Sequence, residues 1–422
     1  MRLSLLSLAC FVAASTLSAA YQDWFVDNTW TGATLGTMAA PFTDIQSAVD
    51  FAVATNGVFN GDTINVVASG QDYYGPIVFP NINAMRLKGT SGYPVVTITG
   101  QVAASTISSG DNYFNPSFAC FPPSQVGLEQ LVIRNQSTAT GAWYCADVQA
   151  WVSWEAGLTN SSGERLTERE RYGIVDCYFD GGGTHGGLRL RDLDQRHRAD
   201  LDSVHTSLVS QCTFENCSVA VELSSQVKAR VYNNWFFSNA WALAATEGTN
   251  SIYQRAYSNI VFCFNVVTWC SGDAFNSDIY PLLLIYNNTF YAGAGTACVL
   301  NATSFGYGGV AQLQNNIFYE NGAAWLAAAG DTNALIVSNN LYYANAGLTG
   351  WEMFGGGAVT LDPAFASLDS GNADFLRPLE FSPAANLSGL FGGVDYLGAR
   401  APIPEPVGVL CVAALLALRR RT

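Results

Sequence analysis

Asn234-Trp235-Phe236-Phe237-Ser238-Asn239 returns, with drift, as Asn265-Val266-Val267-Thr268-Trp269-Cys270, Asn288-Thr289-Phe290-Tyr291-Ala292-Gly293, Asn316-Ile317-Phe318-Tyr319-Glu320-Asn321 and Asn340-Leu341-Tyr342-Tyr343-Ala344-Asn345. Cys177 and Cys212 head two earlier units, with Phe179 and Phe214 two residues on and Gly182 and Cys217 five on. The leading residues are 22 to 35 positions apart, the range of one supersecondary turn with variable loops. An offset of two is the strand period, so the leading residue and the aromatic share a face. The Gly or Asn at most offset-five positions favours a left-handed bend that ends the strand. Short strands joined by turns at this repeat stack into a parallel β-solenoid. Stacking puts equivalent side chains about 4.8 Å apart, so the asparagines are expected to hydrogen-bond in a ladder and the cysteines to act as small apolar residues. Cys177 and Cys212 fall in successive units, near enough to bridge, whereas Cys217 and Cys270 lie two units apart.

Outward from the repeat, other segments fit the same architecture. Residues 41–49, Pro-Phe-Thr-Asp-Ile-Gln-Ser-Ala-Val, read as an amphipathic helix with Ile45, Ala48, Val49 and Ala52 on one face, Thr43 as N-cap and Gln46 completing a capping box. Trp24-Phe25-Val26-Asp27 and Gly61-Asp62-Thr63-Ile64 flank it, and Leu361-Asp362-Pro363-Ala364-Phe365, Asp374-Phe375-Leu376-Arg377 and Ser382-Pro383-Ala384-Ala385 follow the repeats. With these segments the chain resembles right-handed parallel β-helix proteins of the pectin-lyase-like superfamily. The resemblance implies an all-β right-handed solenoid with an N-terminal capping helix, a closing segment near the C-terminus, and a carbohydrate partner. A cap is physically required, because an open solenoid end exposes unpaired strand edges.

Both termini read as addresses. Arg2, an apolar stretch over residues 3–17 and Ser18-Ala19-Ala20 make a signal peptide, residues 1–20. At the other end Pro404-Glu405-Pro406 precedes twelve uncharged residues, 407–418, and Arg419-Arg420-Arg421-Thr422. That apolar run spans about 18 Å as a helix, short of a bilayer core of about 30 Å. The tripartite tail, residues 403–422, resembles the PEP-CTERM sorting signal. The resemblance implies transient contact with the inner membrane, cleavage by an exosortase-type protease, and a secreted or cell-surface location in a Gram-negative bacterium. Residues 21–402 remain for the β-helix domain.

The net charge of −14 provides no field to gather nucleic acid or anionic lipid. Charged residues are only 12 % of a chain rich in aromatics, which suits a secreted β-protein and not a disordered linker. Eight cysteines remain once the two terminal signals are removed, without CxxC spacing, so a zinc site is not expected.

One segment, residues 164–205, departs from this composition. It holds all three histidines (His185, His197, His205) among alternating arginines and aspartates. Three readings are open. Asp192, Asp194, Asp200 and Asp202 offer oxygen ligands for Ca²⁺, with Arg189 or Arg191 beside them, as in the polysaccharide lyases that the fold resembles. Alternatively Asp180 and His185 belong to a glycoside hydrolase site with a second carboxylate. In the third reading the charges pair with one another. The candidates carried forward are therefore Asp180, His185 and Arg189 for catalysis, Trp154 and Arg191 for substrate binding, and Asp192 and Asp194 for metal. Trp143, Trp151, Trp154, Trp235, Trp241 and Trp269 add a further expectation, a sugar-stacking platform if some face outward. The leading expectation is a protein that binds or organises extracellular polysaccharide; the alternative is a polysaccharide lyase or glycoside hydrolase. Outward aromatic rows would favour the first, and a cleft gathering Asp180, His185, Arg189 and Asp192 the second.

Overall fold

The computed structural model describes residues 22–56, 62–79, 85–109, 126–149, 173–191, 207–224, 229–246, 259–278, 282–301, 310–327, 335–347, 356–385 and 394–402. Their strands form three parallel sheets, here the first sheet of eleven strands, the second of ten and the third of nine. Each coil gives one strand to each sheet in turn. Ser207–Ser210 lies in the first, Thr213–Glu215 in the second and Val219–Ser224 in the third. The chain then returns to the first sheet at Ala229–Tyr232, with Val231 beside Val209. This is a right-handed parallel β-helix.

The ladder residues stand at the corner between the first and second sheets. Asn234, Asn265, Asn288, Asn316 and Asn340 are all buried, and each side-chain carbonyl accepts from the preceding ladder residue, an asparagine for all but Asn234. Asn288 donates its backbone N–H and its amide to Asn316 Oδ1, both at 3.0 Å, and Asn316 does the same to Asn340 at 2.9 and 3.0 Å. Where cysteine replaces asparagine the ladder thins: Cys212 N still donates to Asn234 Oδ1 at 2.9 Å, but the thiol has no carbonyl to pass on. Cys177 and Cys212 are free thiols, and the Cys177 thiol is pushed well above its usual range by burial and by its Cys212 neighbour.

The bends do not fall where offset five placed them. Positive φ occurs one residue before the ladder (Asn233, Asn287, Asn315, Asn339) and four residues after it (Ser238, Trp269, Ala292, Glu320, Ala344). Offset five is instead a second ladder, at the corner between the second and third sheets. Asn321 N donates to Asn345 Oδ1 at 3.0 Å, and Asn239 Oδ1 accepts from Cys217 N at 2.9 Å. Asparagine is favoured there for its buried amide, and the left-handed residue beside it makes the turn.

Between the corners the aromatics fill the coil interior. Phe179, Phe214 and Phe236 stack at 4.7 and 5.1 Å, and Phe290, Phe318 and Tyr342 at 5.2 and 5.4 Å. Val267 interrupts the column, and Phe262 of the first sheet fills the gap against Phe236 and Phe290. The helix Ile45–Asn56 seals the N-terminal end with Ile45, Ala48, Val49 and Ala52 buried. Its N-cap is Asp44, not Thr43: the carboxylate accepts the Ser47 N–H at 2.8 Å, three residues into the helix. Gln46 closes no capping box, because its amide pairs with Val78 N and O of a neighbouring strand. Residues 356–359 add a partial last coil, with Gly356 bridged to Ser338 and Val359 to Leu341, and residues 360–385 and 394–402 pack on the outward face of the second sheet. There Phe375 stands 6.3, 5.8 and 6.1 Å from the rings of Trp235, Trp269 and Tyr291, forming a second apolar cluster outside the solenoid.

Candidate functional site

Between the strands Tyr178–Asp180 and Gly186–Arg191 the chain crosses from the second to the third sheet through residues 181–185. This crossing is two residues longer than the corresponding one at residues 216–218 in the next coil. Gly182 and Gly183 absorb the excess at φ of 60° and 84°. The preceding coil also crosses by a long path, between the strands Val132–Ser137 and Tyr144–Gln149. Two overlong turns stacked on each other leave a cleft of about 740 Å³ lined by residues 136–141 and by Gly182, Thr184 and His185.

His185 is 2 % exposed. Its backbone is fixed on both sides, with N donating to Gly181 O at 3.0 Å and O accepting from Ser218 N at 2.9 Å. Nε2 lies 2.8 Å from the Ser137 carbonyl oxygen and 3.4 Å from the Ser137 hydroxyl. A carbonyl oxygen only accepts, so Nε2 carries a proton, and in that tautomer Nδ1 is the acceptor nitrogen of the ring. Nδ1 is buried without a hydrogen-bond partner. Asp180 stands at the edge of the cleft. Its carboxylate accepts the Gly182 N–H at 3.0 Å and faces Gln136 Nε2 at 3.5 Å and Arg134 Nε at 3.9 Å.

On the outward face of the second sheet, Arg134, Asp180 and Glu215 are register partners in three successive coils. Glu215 accepts a hydrogen bond from the Tyr178 hydroxyl, and burial followed by this carboxylate pushes the Tyr178 pKa upward. Glu215 escaped the sequence reading, although the repeat marks it: it lies three residues after Cys212, as Asp180 lies three after Cys177.

Arg189 and Arg191 belong elsewhere. Both project from the third sheet and converge on Asp147 of the preceding coil. Arg189 Nε and Nη2 grip the two carboxylate oxygens, the former at 3.1 Å, while Arg191 Nε donates at 2.6 Å. The Arg189 guanidinium lies 4.6 Å above the Tyr144 ring, and the Tyr144 hydroxyl donates to Glu222. Gly186 is required beneath that ring, because any Cβ there would strike it. Burial and then Glu222 raise the Tyr144 pKa; burial would lower that of Arg189, but Asp147 outweighs it and the net shift is upward. Asp147 and Tyr144 were also missed, because their strand, Tyr144–Gln149, sits in a coil whose ladder position holds Leu131; Glu222 was missed because it lies on the third-sheet strand Val219–Ser224, beyond the repeated unit. The expected charge pairing is therefore found for Arg189 and Arg191, on a sheet and with a carboxylate from outside the charged segment.

The structure thus brings His185 and Asp180 to one cleft and holds Arg189 and Arg191 together at Asp147. Trp154, Asp192 and Asp194 lie outside the described residues, as do Trp151, His197 and His205. Among the described residues no three His, Cys, Asp or Glu side chains gather to hold a metal. Trp235 and Trp269 do face outward, but Phe375 packs on both and Arg400 lies 5.2 Å over Trp235; Trp269 remains 36 % exposed.

No protein-family model matches the chain. No curated protein matches it either. Among solved structures it is similar to the crystal structure of pectate lyase Pel9A, with 11 % sequence identity and a TM-score of 0.46, over 91 % of this chain and 97 % of that one.

Proposed function

We propose that this chain is an exported, surface-sorted β-helix protein that binds or organises extracellular polysaccharide at the cleft beside His185. The observation that carries the reading is the cleft's lining. Amide, hydroxyl and backbone groups of residues 136–141, Gly182 and Thr184 line it together with His185, whose buried Nδ1 has no partner in the protein. A pocket rich in fixed hydrogen-bonding groups on a rigid scaffold suits a sugar. The neighbouring ionisable groups are already engaged: Asp180 by Gly182, Arg189 and Arg191 by Asp147. A base or carboxylate clamp for a lyase would need one of these released. The signal peptide and the Pro404-Glu405-Pro406 tail support export and sorting by an exosortase-type protease.

Hydrolysis is the second reading, favoured by the register of Asp180 beside Glu215. Adjacent strands are about 4.8 Å apart, near the carboxyl separation of about 5 Å that retaining glycosidases use. It ranks second because Glu215 is held by Tyr178 and Asp180 by the turn.

The decisive experiment incubates the protein with a panel of polysaccharides, with Ca²⁺ and with a chelator, and follows retention and new chain ends together. Retention without new ends supports binding. New ends that vanish in Asp180→Ala or Glu215→Ala overturn it in favour of hydrolysis. Sorting is tested by the mass of the mature surface protein, and an intact C-terminus at Thr422 would sink it.

A further inference from the structure

We infer that the His185 cleft selects a neutral sugar hydroxyl and discriminates against uronate or sulfated chains, an inference that rests on the polysaccharide reading of this cleft. Two groups left without hydrogen bonds lie at or beside it. His185 Nδ1 is a buried acceptor, because its Nε2 proton is committed to the Ser137 carbonyl 2.8 Å away. Trp143 Nε1 is a buried donor, and its indole lies over Gly141, a residue of the cleft wall where any side chain would strike it. An unmade hydrogen bond at a buried polar atom carries a desolvation cost that a fitting ligand removes.

One acceptor and one donor are together the complement of hydroxyls, which donate and accept at once. A carboxylate or sulfate can accept from Trp143 but has no proton to give Nδ1. Among the described residues it would also find no Lys or Arg in the wall, which is made of residues 136–141, Gly182, Thr184 and His185. Among the described residues, the guanidiniums of the same two coils are committed: Arg134 faces Asp180 at 3.9 Å, and Arg189 and Arg191 share Asp147. Asp180 at the edge and the net charge of −14 add repulsion. The selectivity is therefore negative as well as positive, a penalty on anions beside a fit to hydroxyls.

The test compares one polymer in two charge states, polygalacturonate and the neutral galactan obtained from it by carboxyl reduction, together with dextran and mannan. Retention on the full-length protein is measured by affinity electrophoresis at neutral pH. A neutral polymer should be retained at least about tenfold more tightly than polygalacturonate. Trp143→Phe, which keeps the bulk and loses the N–H, should weaken that retention about tenfold, the loss of one well-placed hydrogen bond of about 1.4 kcal/mol. His185→Leu should do the same, and unchanged thermal unfolding of each variant guards against a folding defect. Equal or tighter retention of polygalacturonate overturns the neutral-sugar inference and leaves polysaccharide binding standing. Neutral retention that survives both substitutions in folded protein overturns the role of the two groups. Absence of retention for every polymer overturns both readings.

Discussion

Asn316 spends its whole side chain on hydrogen bonds. Its amide donates to Ile285 O and Gln314 O, each at 2.9 Å, and to Asn340 Oδ1, while its carbonyl accepts two bonds from Asn288. Asn316→Leu keeps the volume but strands buried backbone groups in two neighbouring coils. It should cost about 1–3 kcal/mol in equilibrium unfolding; a variant as stable as the parent would remove the ladder from the account of stability. The cysteines that share these corners are placed for packing. Burial pushes the Cys217 and Cys270 thiols up to about 12 and Cys263 to about 11, so each stays protonated at pH 8, where a thiolate is the reactive form. Iodoacetamide at that pH should leave these three unmodified in the folded protein and label them after denaturation, as read by peptide mass. Rapid labelling of the native chain would place them at the surface.

At the scale of elements, each three-residue strand of the second sheet is too short to stand alone, and its inward side chain, aromatic in all but Val267, and the corner residues on either side, both asparagine at Trp235–Phe237, Ile317–Tyr319 and Leu341–Tyr343, fix it between neighbours. That much was legible, because ladder, aromatic and second corner recur at fixed offsets from Asn234 to Asn345. The bend position was not, since Phe264, Trp269 and Glu320 take left-handed backbone without the Gly or Asn that would advertise it. The cleft was half legible. His185 stood out by composition, but the opposite wall comes from residues 136–141 of another coil, and only the stacking of two long turns joins them. The closing segment was legible as short motifs while its seat was not, because its contacts run back from Phe375 to Trp235 across several coils. That seat makes a prediction. Phe375 is 1 % exposed beneath its neighbours, so Phe375→Ala should destabilise the protein by about 3–5 kcal/mol if the segment cannot collapse onto the gap. It should also shift tryptophan emission to the red as Trp235 and Trp269 gain water. An unshifted spectrum in a folded variant would show that the segment does not cover them.

Over the whole molecule, buried acids accumulate along a chain that is already anionic, and this sets its response to alkali. The Cys217, Cys263 and Cys270 thiols are raised by burial to about 12, 11 and 12, and Tyr144 is raised by burial and by Glu222. In the unfolded chain thiols titrate near 8.5 and tyrosine near 10. From about pH 9 upward the folded state therefore binds more protons than the unfolded one, and stability must fall as pH rises. The contribution is complete below the unfolded thiol pKa and is lost as pH climbs through 11 to 12. Self-repulsion acts in the same direction, because every new anion joins a net charge of −14. The urea midpoint should stay level between pH 7 and 8 and decline steadily from pH 9 to 10.5. High salt should recover the part due to repulsion and leave the part due to burial, because screening acts on exposed charges and scarcely reaches groups inside the solenoid. A midpoint that holds or rises to pH 10.5 would mean that these thiols and the Tyr144 hydroxyl titrate as freely in the fold as outside it.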